Sequence, residues 1–597
     1  FGPAAIGERD RNRAGRPDGP LNLQGALRTT SMPEVPDPIP SVPENSDEVH
    51  SPDYIKVGPL EFHPVVFPVS ALLIFGFAIG GAVWALNDKE GAEASFTAMK
   101  NWMSDRFGWF FVLATNALLL VAALFAFTKL GDVRLGGRHA RPRFSTLSWF
   151  AMLFSAGMGI GLVFWSVAEP IFHFGDPQNI SPVPVPAGER AAMSITFFHW
   201  GLHAWGVYTV VGAAIAFFSY NKGLPLTIRS TFYPILGEKV KGPAGHIIDT
   251  LAVVATLFGV ATSLGLGVKQ VGAGLHYLLP DVFAAAGTSG EGTALGLTSV
   301  GVQILLIAVI TLIATFSVVS GLDKGIKILS NTNMVVAGCL LLMLFLLGPT
   351  VHLLDAFLQN IGGYISRFVG MAFWTEAYQV DAEGNPTRWQ NGWTIFYWAW
   401  WIAWSPFVGM FIARISYGRK LRQFALGVLL VPTLVTFFWL TVFGNTAIYE
   451  ELREGGIVDA VNSDVSTALF VLLEKFPLSA VTSAFSIFVI ITFFVTSSDS
   501  GSLVIDTITG GGHPNPPVIQ KIFWAVLEGA VAATLLLCGG LTALQTGSIM
   551  TGLPFAAVLL VMAWCLVKGV GQEQASEEEL WEAEADELEK RKKQGSL

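Results

Sequence analysis

Charge is what this sequence has least of. Charged residues make up 14% of its 597 positions, against about 25% in an average soluble domain. A soluble chain of this length would fold as several domains, and there are too few charges here to coat their surfaces. Cysteine is scarcer still. Cys339, Cys538 and Cys565 all lie in apolar stretches, with no disulfide framework and no metal-ligand spacing. These absences exclude a soluble enzyme, a secreted disulfide scaffold and a nucleic-acid binder. The net charge of −9 sits largely in the two tails and says little about partners. What is present in excess is apolar: 52% of residues are hydrophobic, with 44 Phe and 18 Trp, and the mean hydropathy is +0.54. The apolar residues come in blocks of about 20 or more, long enough to cross a hydrocarbon core of roughly 30 Å. The composition is that of an all-α polytopic membrane protein.

Residues 1–62 hold ten prolines and mixed charge without apolar periodicity, and nothing in them resembles a signal peptide. They are expected to form a disordered tail. Twelve apolar segments follow, at about 65–86, 109–128, 147–168, 191–219, 246–279, 298–321, 329–352, 392–417, 421–449, 479–509, 517–539 and 544–569, giving a transmembrane domain over 63–570. Alternate loops are basic: Lys129, Arg134, Arg138, Arg141 and Arg143; Lys222, Arg229, Lys239 and Lys241; Lys324 and Lys327; Arg414, Arg419, Lys420 and Arg422. An intervening loop carries Glu450, Glu451, Glu454, Asp459 and Asp464. Basic loops belong on the cytoplasmic side, so both termini are expected there, as the even segment count also requires. Residues 353–372 are too polar to span and fit an interfacial amphipathic helix. The tail over 571–597 opens with Glu577, Glu578, Glu579, Glu582 and Glu584 and fits a short solvated helix.

Four stretches depart from lipid-filling sequence. Ser155-Ala-Gly-Met-Gly-Ile-Gly161 places three glycines at alternate positions. It fits either close helix packing through small residues or an unwound segment lining a cavity. The run Trp393, Phe396, Tyr397, Trp398, Trp400, Trp401, Trp404 puts five of the 18 tryptophans within twelve positions, just before Ser405-Pro406. Tyr397, Trp401 and Trp404 share one helix face by their spacing. Phe198-His-Trp-Gly-Leu-His-Ala-Trp-Gly-Val-Tyr208 carries Trp200, Trp205 and Tyr208 within about 140° of one another on a helix. Its His199 and His203, four apart, have the spacing of a metal pair, but no acid or cysteine close in sequence completes the set, and interhelical hydrogen bonding is the plainer role. Thr492-Phe-Phe-Val-Thr-Ser-Ser-Asp-Ser500, with Thr256 and Ser263, gathers hydroxyls that either bond back to their own helix or coordinate an alkali cation, which prefers oxygen. Asp499 is the carboxylate expected near these motifs.

Together these stretches point to a cationic ligand. A quaternary ammonium can neither donate a hydrogen bond nor lose a proton, so the faces of aromatic rings are what remains to hold it in a dry site. With no acid expected beside the tryptophans, a zwitterion carrying its own carboxylate suits the site better than a bare cation.

The chain resembles the betaine–carnitine–choline transporter family over roughly 65–570. The resemblance rests on Lys129-Leu-Gly-Asp-Val-Arg-Leu-Gly136, Gly157-Met-Gly-Ile-Gly161, Glu169-Pro170, Phe198-His-Trp200, Ser263-Leu-Gly-Leu-Gly267, Thr394-Ile-Phe-Tyr-Trp-Ala-Trp-Trp401, Trp404-Ser-Pro-Phe-Val-Gly-Met-Phe411 and Thr496-Ser497. It implies LeuT-like inverted five-helix repeats, helices three to seven and eight to twelve, each opening with a helix broken at the Gly run or at Pro406. It implies an aromatic box of Trp200, Trp205, Tyr208 and Trp401. Trp400 and Trp404 would line the cytoplasmic path, Phe164 would act as a gate, and the substrate carboxylate would meet backbone around Gly157, Met158, Gly159 and Gly161. One sodium site carries over onto Ser155, Met158, Phe493, Thr496 and Ser497. A second would use Thr256 and Phe407, but the family's next threonine falls on Val260, which offers no oxygen. Lys269 stands where an apolar residue is expected, and the tail is shorter and more acidic than in osmosensing relatives.

The resemblance further implies a homotrimer surrounded by lipid in a bacterial cytoplasmic membrane, and no enzymatic activity. The expected function is sodium-coupled uptake of a zwitterionic compatible solute, glycine betaine first, because Gly161 stands where choline carriers place an acid. A sodium-independent carnitine/betaine exchanger, or ectoine or choline uptake coupled to sodium or protons, are the alternatives.

Overall fold

The computed structural model describes residues 53–157, 159–175, 188–280, 300–319, 323–380, 384, 387–513 and 515–593. Apart from one hairpin these residues are mainly helical. Strands β1 (Ile55–Val57) and β2 (Leu60–Phe62) pair antiparallel, with Ile55 opposite Phe62. The helices that follow are α1 (Val66–Asn87), α2 (Lys89–Phe127), α3 (Thr146–Gly157), α4 (Ile160–Gly175), α5 (Glu189–Trp200), α6 (Leu202–Tyr220), the short α7 (Tyr233–Leu236), α8 (Pro243–Leu278), α9 (Val300–Val319), α10 (Asp323–Leu347), α11 (Thr350–Ala372) and the short α12 (Trp389–Gly392). Beyond them come α13 (Thr394–Ile415), α14 (Leu421–Leu440), α15 (Thr446–Glu454), α16 (Ile457–Ser463), α17 (Ala468–Glu474), α18 (Ser479–Thr509) and α19 (Val518–Lys593).

Among the described residues, eight helical stretches are long and apolar enough to cross a membrane, or nine if a bent pair counts as one span. Their burial separates centre from rim. The apolar windows of Glu189–Tyr220, Pro243–Leu278 and Trp389–Ile415 are 94%, 89% and 89% buried, whereas that of α1 is 22% buried. Helix α1 buries Val66, Ser70, Ile74, Ala78 and Ala85 along one stripe and turns Leu72, Ile79 and Leu86 outward. An apolar helix that is apolar on its outer face belongs against lipid.

Interruptions, more than lengths, shape the centre. The third apolar segment is divided between α3, which ends at Gly157, and α4, which begins at Ile160, in keeping with the broken helix that the resemblance implies; Met158 lies outside the described residues. The fourth is split at Gly201, which sequence did not mark. A side chain there would lie 2.6 Å from the Phe197 carbonyl and 2.9 Å from the Tyr364 hydroxyl, so only glycine fits the bend. The break expected at Pro406 does not occur, and α13 runs through it. Proline removes the donor that Ile402 O would receive, and Ser405 Oγ donates to that carbonyl instead, at 2.7 Å. The last two predicted segments are joined in α19 across a kink at Gly539 (φ 156°) and Gly540 (φ 57°). The helix continues to Lys593, so the acidic tail is its solvated end.

Two boundaries move. Helix α11 begins at Thr350 and turns away from the residues before it by 108°, packing Asn360 and Tyr364 inward. The predicted disordered tail does not reach residue 62, because the hairpin at 53–62 is docked. Glu61 N donates to Gln520 Oε1 at 2.6 Å, His63 N donates to Thr509 O at 2.7 Å, and Arg229 pairs with Asp53 at 3.0 Å. Residues 1–52 lie outside the described residues.

Candidate functional site

Four side chains of α13 and three of α5 and α6 meet at the centre. The Trp200 ring is 4.9 Å from Trp401 and 5.6 Å from Tyr397, centroid to centroid. Trp205 lies 5.5 Å from Tyr208, and Tyr208 lies 6.4 Å from Trp401. Trp400 stacks on Trp401 at 4.9 Å and meets Trp404 at 6.2 Å. The rings named from sequence are therefore neighbours in space, and all are buried. The Gly201 break helps orient them: α5 ends at Trp200, so its last carbonyls lack intrahelical donors, and Trp401 Nε1 donates to His199 O at 2.9 Å. Trp400 Nε1 donates to Gly259 O and Ser263 Oγ, both at 3.3 Å. Phe164 packs 4.9 Å from Trp165, one residue beyond it on α4.

The glycines near α3 and α4 also serve the indoles. A Cβ on Gly161 would lie 2.3 Å from the Trp400 ring, one on Gly259 2.9 Å from Trp404, and one on Gly159 3.4 Å from Trp404. The close-packing reading of the glycine run holds here, since Gly159 and Gly161 are seats for rings, and the helix is interrupted after Gly157.

The sequence missed the acid. Glu169 of α4 is fully buried against the cluster. Its carboxylate accepts from His199 Nδ1 at 2.6 Å, from Trp200 Nε1 at 2.8 Å and from the Tyr397 hydroxyl at 2.5 Å. With its proton on Nδ1, His199 accepts on Nε2 from the Thr394 hydroxyl at 3.0 Å. A buried carboxylate is tolerated only when so satisfied, and here it braces rings from two elements. Its partners are 31 and 228 residues away, which is why the Glu169-Pro170 motif carried no visible link to the tryptophans. The expectation of Asp499 as the carboxylate near the motifs is corrected accordingly. Asp249, Asp506 and Glu528 are also buried, and Glu528 accepts from Ser498 Oγ at 2.9 Å. His199 and His203 do not converge on one ion: His203 Nε2 pairs with Asn116 Oδ1 at 3.1 Å and its ring stacks on Trp398.

A second locus lies on the other side of Trp404. Ser155, Trp404, Phe407, Phe493, Thr496 and Ser497 line a cavity of about 110 Å³, together with Asn333, Met334, Val408, Phe411 and Ser500. Five of the residues named for sodium are thus gathered around one space. Thr256 is not among them; it is buried on α8 with its hydroxyl donating to Ala252 O at 2.7 Å. Thr496 Oγ1 likewise donates to Thr492 O at 3.0 Å and Phe493 O at 3.2 Å. Each hydroxyl keeps lone pairs that can face a hard cation. Asn333, which hydrogen-bonds Thr492, was not anticipated. Val260 packs beside Gly501, where Glu528 Oε1 also approaches.

Residues 65–575 match the family described as BCCT, betaine/carnitine/choline family transporter. A glycine betaine transporter of Acinetobacter baylyi is 43% identical over 510 residues, covering 85% of this chain and 73% of the relative. A glycine betaine/proline/choline transporter of Vibrio parahaemolyticus is 43% identical, over 87% of this chain and 92% of the relative. The glycine betaine transporter OpuD of Bacillus subtilis is 41% identical, over 84% and 94%. These relatives are transporters, not enzymes, and with the family match and the apolar helices they place the chain as a multi-pass membrane protein. The chain belongs to the betaine/carnitine/choline transporter family.

Proposed function

We propose that this protein is a secondary transporter that imports a quaternary-ammonium compatible solute, glycine betaine first, by alternating access and coupled to sodium. The observation that carries the substrate class is the meeting of Trp200, Trp205, Tyr208 and Trp401 at one buried point. Each ring face contributes roughly 0.5–2 kcal/mol to a cation placed over it. Several such rings hold a trimethylammonium group while still letting it go. The relatives named as glycine betaine transporters support the same solute.

Sodium belongs in the cavity of Ser155, Phe493, Thr496 and Ser497, with Met158 a further ligand by the family's pattern. Phe407 lines the same space, and Thr256 lies outside it, so one sodium fits better than two. The architecture we infer is twelve crossings arranged as inverted repeats, with both termini cytoplasmic, α11 lying along the interface and three copies assembling in lipid. The broken α3–α4 agrees with a repeat opened by an interrupted helix; the continuous α13 means that the second repeat would open through Pro406 without a break in this conformation.

Glu169 favours a second reading of specificity. With an acid behind Trp200 and Tyr397, the site also has a countercharge for a bare cation, so choline joins betaine as a candidate. The relative named for glycine betaine, proline and choline is in keeping with that.

Uptake of labelled glycine betaine into proteoliposomes, with an inward sodium gradient and with potassium in its place, tests the coupling. Accumulation only with the sodium gradient is expected. Equal uptake without it, or uptake only against a preloaded solute, would leave an exchanger.

A further inference from the structure

Among the buried polar groups around the aromatic cluster that lack a hydrogen-bond partner, His173 has both ring nitrogens unsatisfied. The side chain is fully buried on α4. It stands one helical turn beyond Glu169, with Nε2 3.5 Å from Oε1. The same carboxylate oxygen is 2.6 Å from His199 Nδ1. One ligand atom from each of Glu169, His173 and His199 lies within 4.8 Å of the other two. The His173 ring is packed 4.5 Å from Trp393 and 5.5 Å from Trp389.

We propose that Glu169, His173 and His199 form a binding site for a divalent transition-metal cation of the zinc type. Two imidazole nitrogens and one carboxylate oxygen are a zinc donor set, with bonds of about 2.0–2.2 Å. Around a tetrahedral ion such ligands sit roughly 3.3 Å apart, so the present triangle closes by shifts of about an ångström. Sodium and calcium take oxygen ligands, and two imidazoles select against them.

The neighbours suit the exchange. Moving the His199 proton from Nδ1 to Nε2 directs it at Thr394 Oγ1, 3.0 Å away, and turns the Nδ1 lone pair towards the metal. An outer hydrogen bond of this kind orients metal-bound histidines generally. The void of about 10 Å³ beside His199 lies between Thr394 and Trp389 and is lined by neither Glu169 nor His173, so the ligands are the three side chains themselves. Glu169 Oε2 meanwhile holds Trp200 and Tyr397. A metal on Oε1 therefore fixes the carboxylate that positions the rings, and slows transport; this last clause rests on the transport reading above.

The test is titration of the purified full chain with zinc chloride in chelator-free buffer, read by calorimetry, with cobalt chloride as a spectroscopic probe of nitrogen and oxygen ligation. His173→Phe and His173→Gln are compared with the wild type, with size-exclusion profile and thermal unfolding as checks of folding. The expected result is one zinc per wild-type chain and at least tenfold weaker binding in both variants, with zinc slowing betaine uptake by the wild type alone. Absence of stoichiometric zinc binding, or equal affinity in a folded variant, would overturn the site. If zinc binds as expected but no betaine uptake is seen under any condition, the site stands and the transport reading fails.

Discussion

Trp401 is fixed from both ends, by stacking on Trp400 and by its hydrogen bond to His199 O. Its face is therefore presented to a ligand without further ordering. Trp401→Ala and Trp200→Ala are each expected to weaken glycine betaine binding by about two- to thirtyfold, the equivalent of one ring face, as measured by calorimetry. Glu169 acts through the rings it holds. Glu169→Gln keeps an acceptor but removes the charge, so the affinity for choline is expected to fall more than that for betaine, which brings its own carboxylate. An equal fall for the two would mean that Glu169 serves only to position Trp200 and Tyr397. These residues also show what a sequence can convey. The tryptophans declare themselves by crowding within one helix, whereas Glu169 is one acid whose partners come from elements far along the chain. Nothing local distinguishes it from an acid paired to a loop.

At the scale of elements, the positions of the apolar helices were legible and their ends and breaks only half so: α2 begins at Lys89, well before the segment marked at 109. The apolar segments fall on helices because block length and hydropathy are local properties. A break depends on whether some other group supplies the missing hydrogen bond. At Pro406, Ser405 does so, and α13 continues. Ser405→Ala is expected to leave Ile402 O without a donor and to destabilise the folded state by about 1–3 kcal/mol, seen as a lowered Tm in detergent. At Gly201 the bend is imposed by Tyr364 and Phe197, and Tyr364 lies on α11, beyond any local pattern. Gly161→Ala tests the seating of the rings on α4. Its methyl group meets the Trp400 indole, and overpacking of this kind costs about 1–3 kcal/mol. Reduced stability together with altered Trp fluorescence is expected; an unchanged spectrum would show that Trp400 does not rest on this glycine.

At the scale of the molecule, the first and last described elements are tied to the bundle by charge. The last helix reaches back through Arg138, which pairs with Glu584 at 2.9 Å and lies over the Trp581 ring. His63, directly after the hairpin, is 3% exposed, donates its backbone N–H to Thr509 O at 2.7 Å and accepts on Nδ1 from the Val65 and Val66 amides. Burial first, then the nearby Arg229 and His246, lower its pKa from 6.5 to about 4, with Asp53 opposing. A histidine held neutral in the fold stabilises it above its ordinary pKa, and that contribution is lost as the pH falls through the lowered value. Hydrogen exchange over residues 55–62 is therefore expected to be slow near neutrality and to accelerate as the pH is lowered from about 6.5 to about 4. Unchanged protection would show that His63 does not hold the hairpin. Across the whole molecule the central claim is that a buried aromatic cluster holds a positive charge. Calorimetric comparison of glycine betaine with tert-butylacetate, which keeps the shape and carboxylate but replaces nitrogen by carbon, tests it most directly. The isostere, whose tert-butyl group carries no positive charge, is expected to bind at least tenfold more weakly, since several ring faces of roughly 0.5–2 kcal/mol each lose their cation. Equal affinity for the two would contradict it.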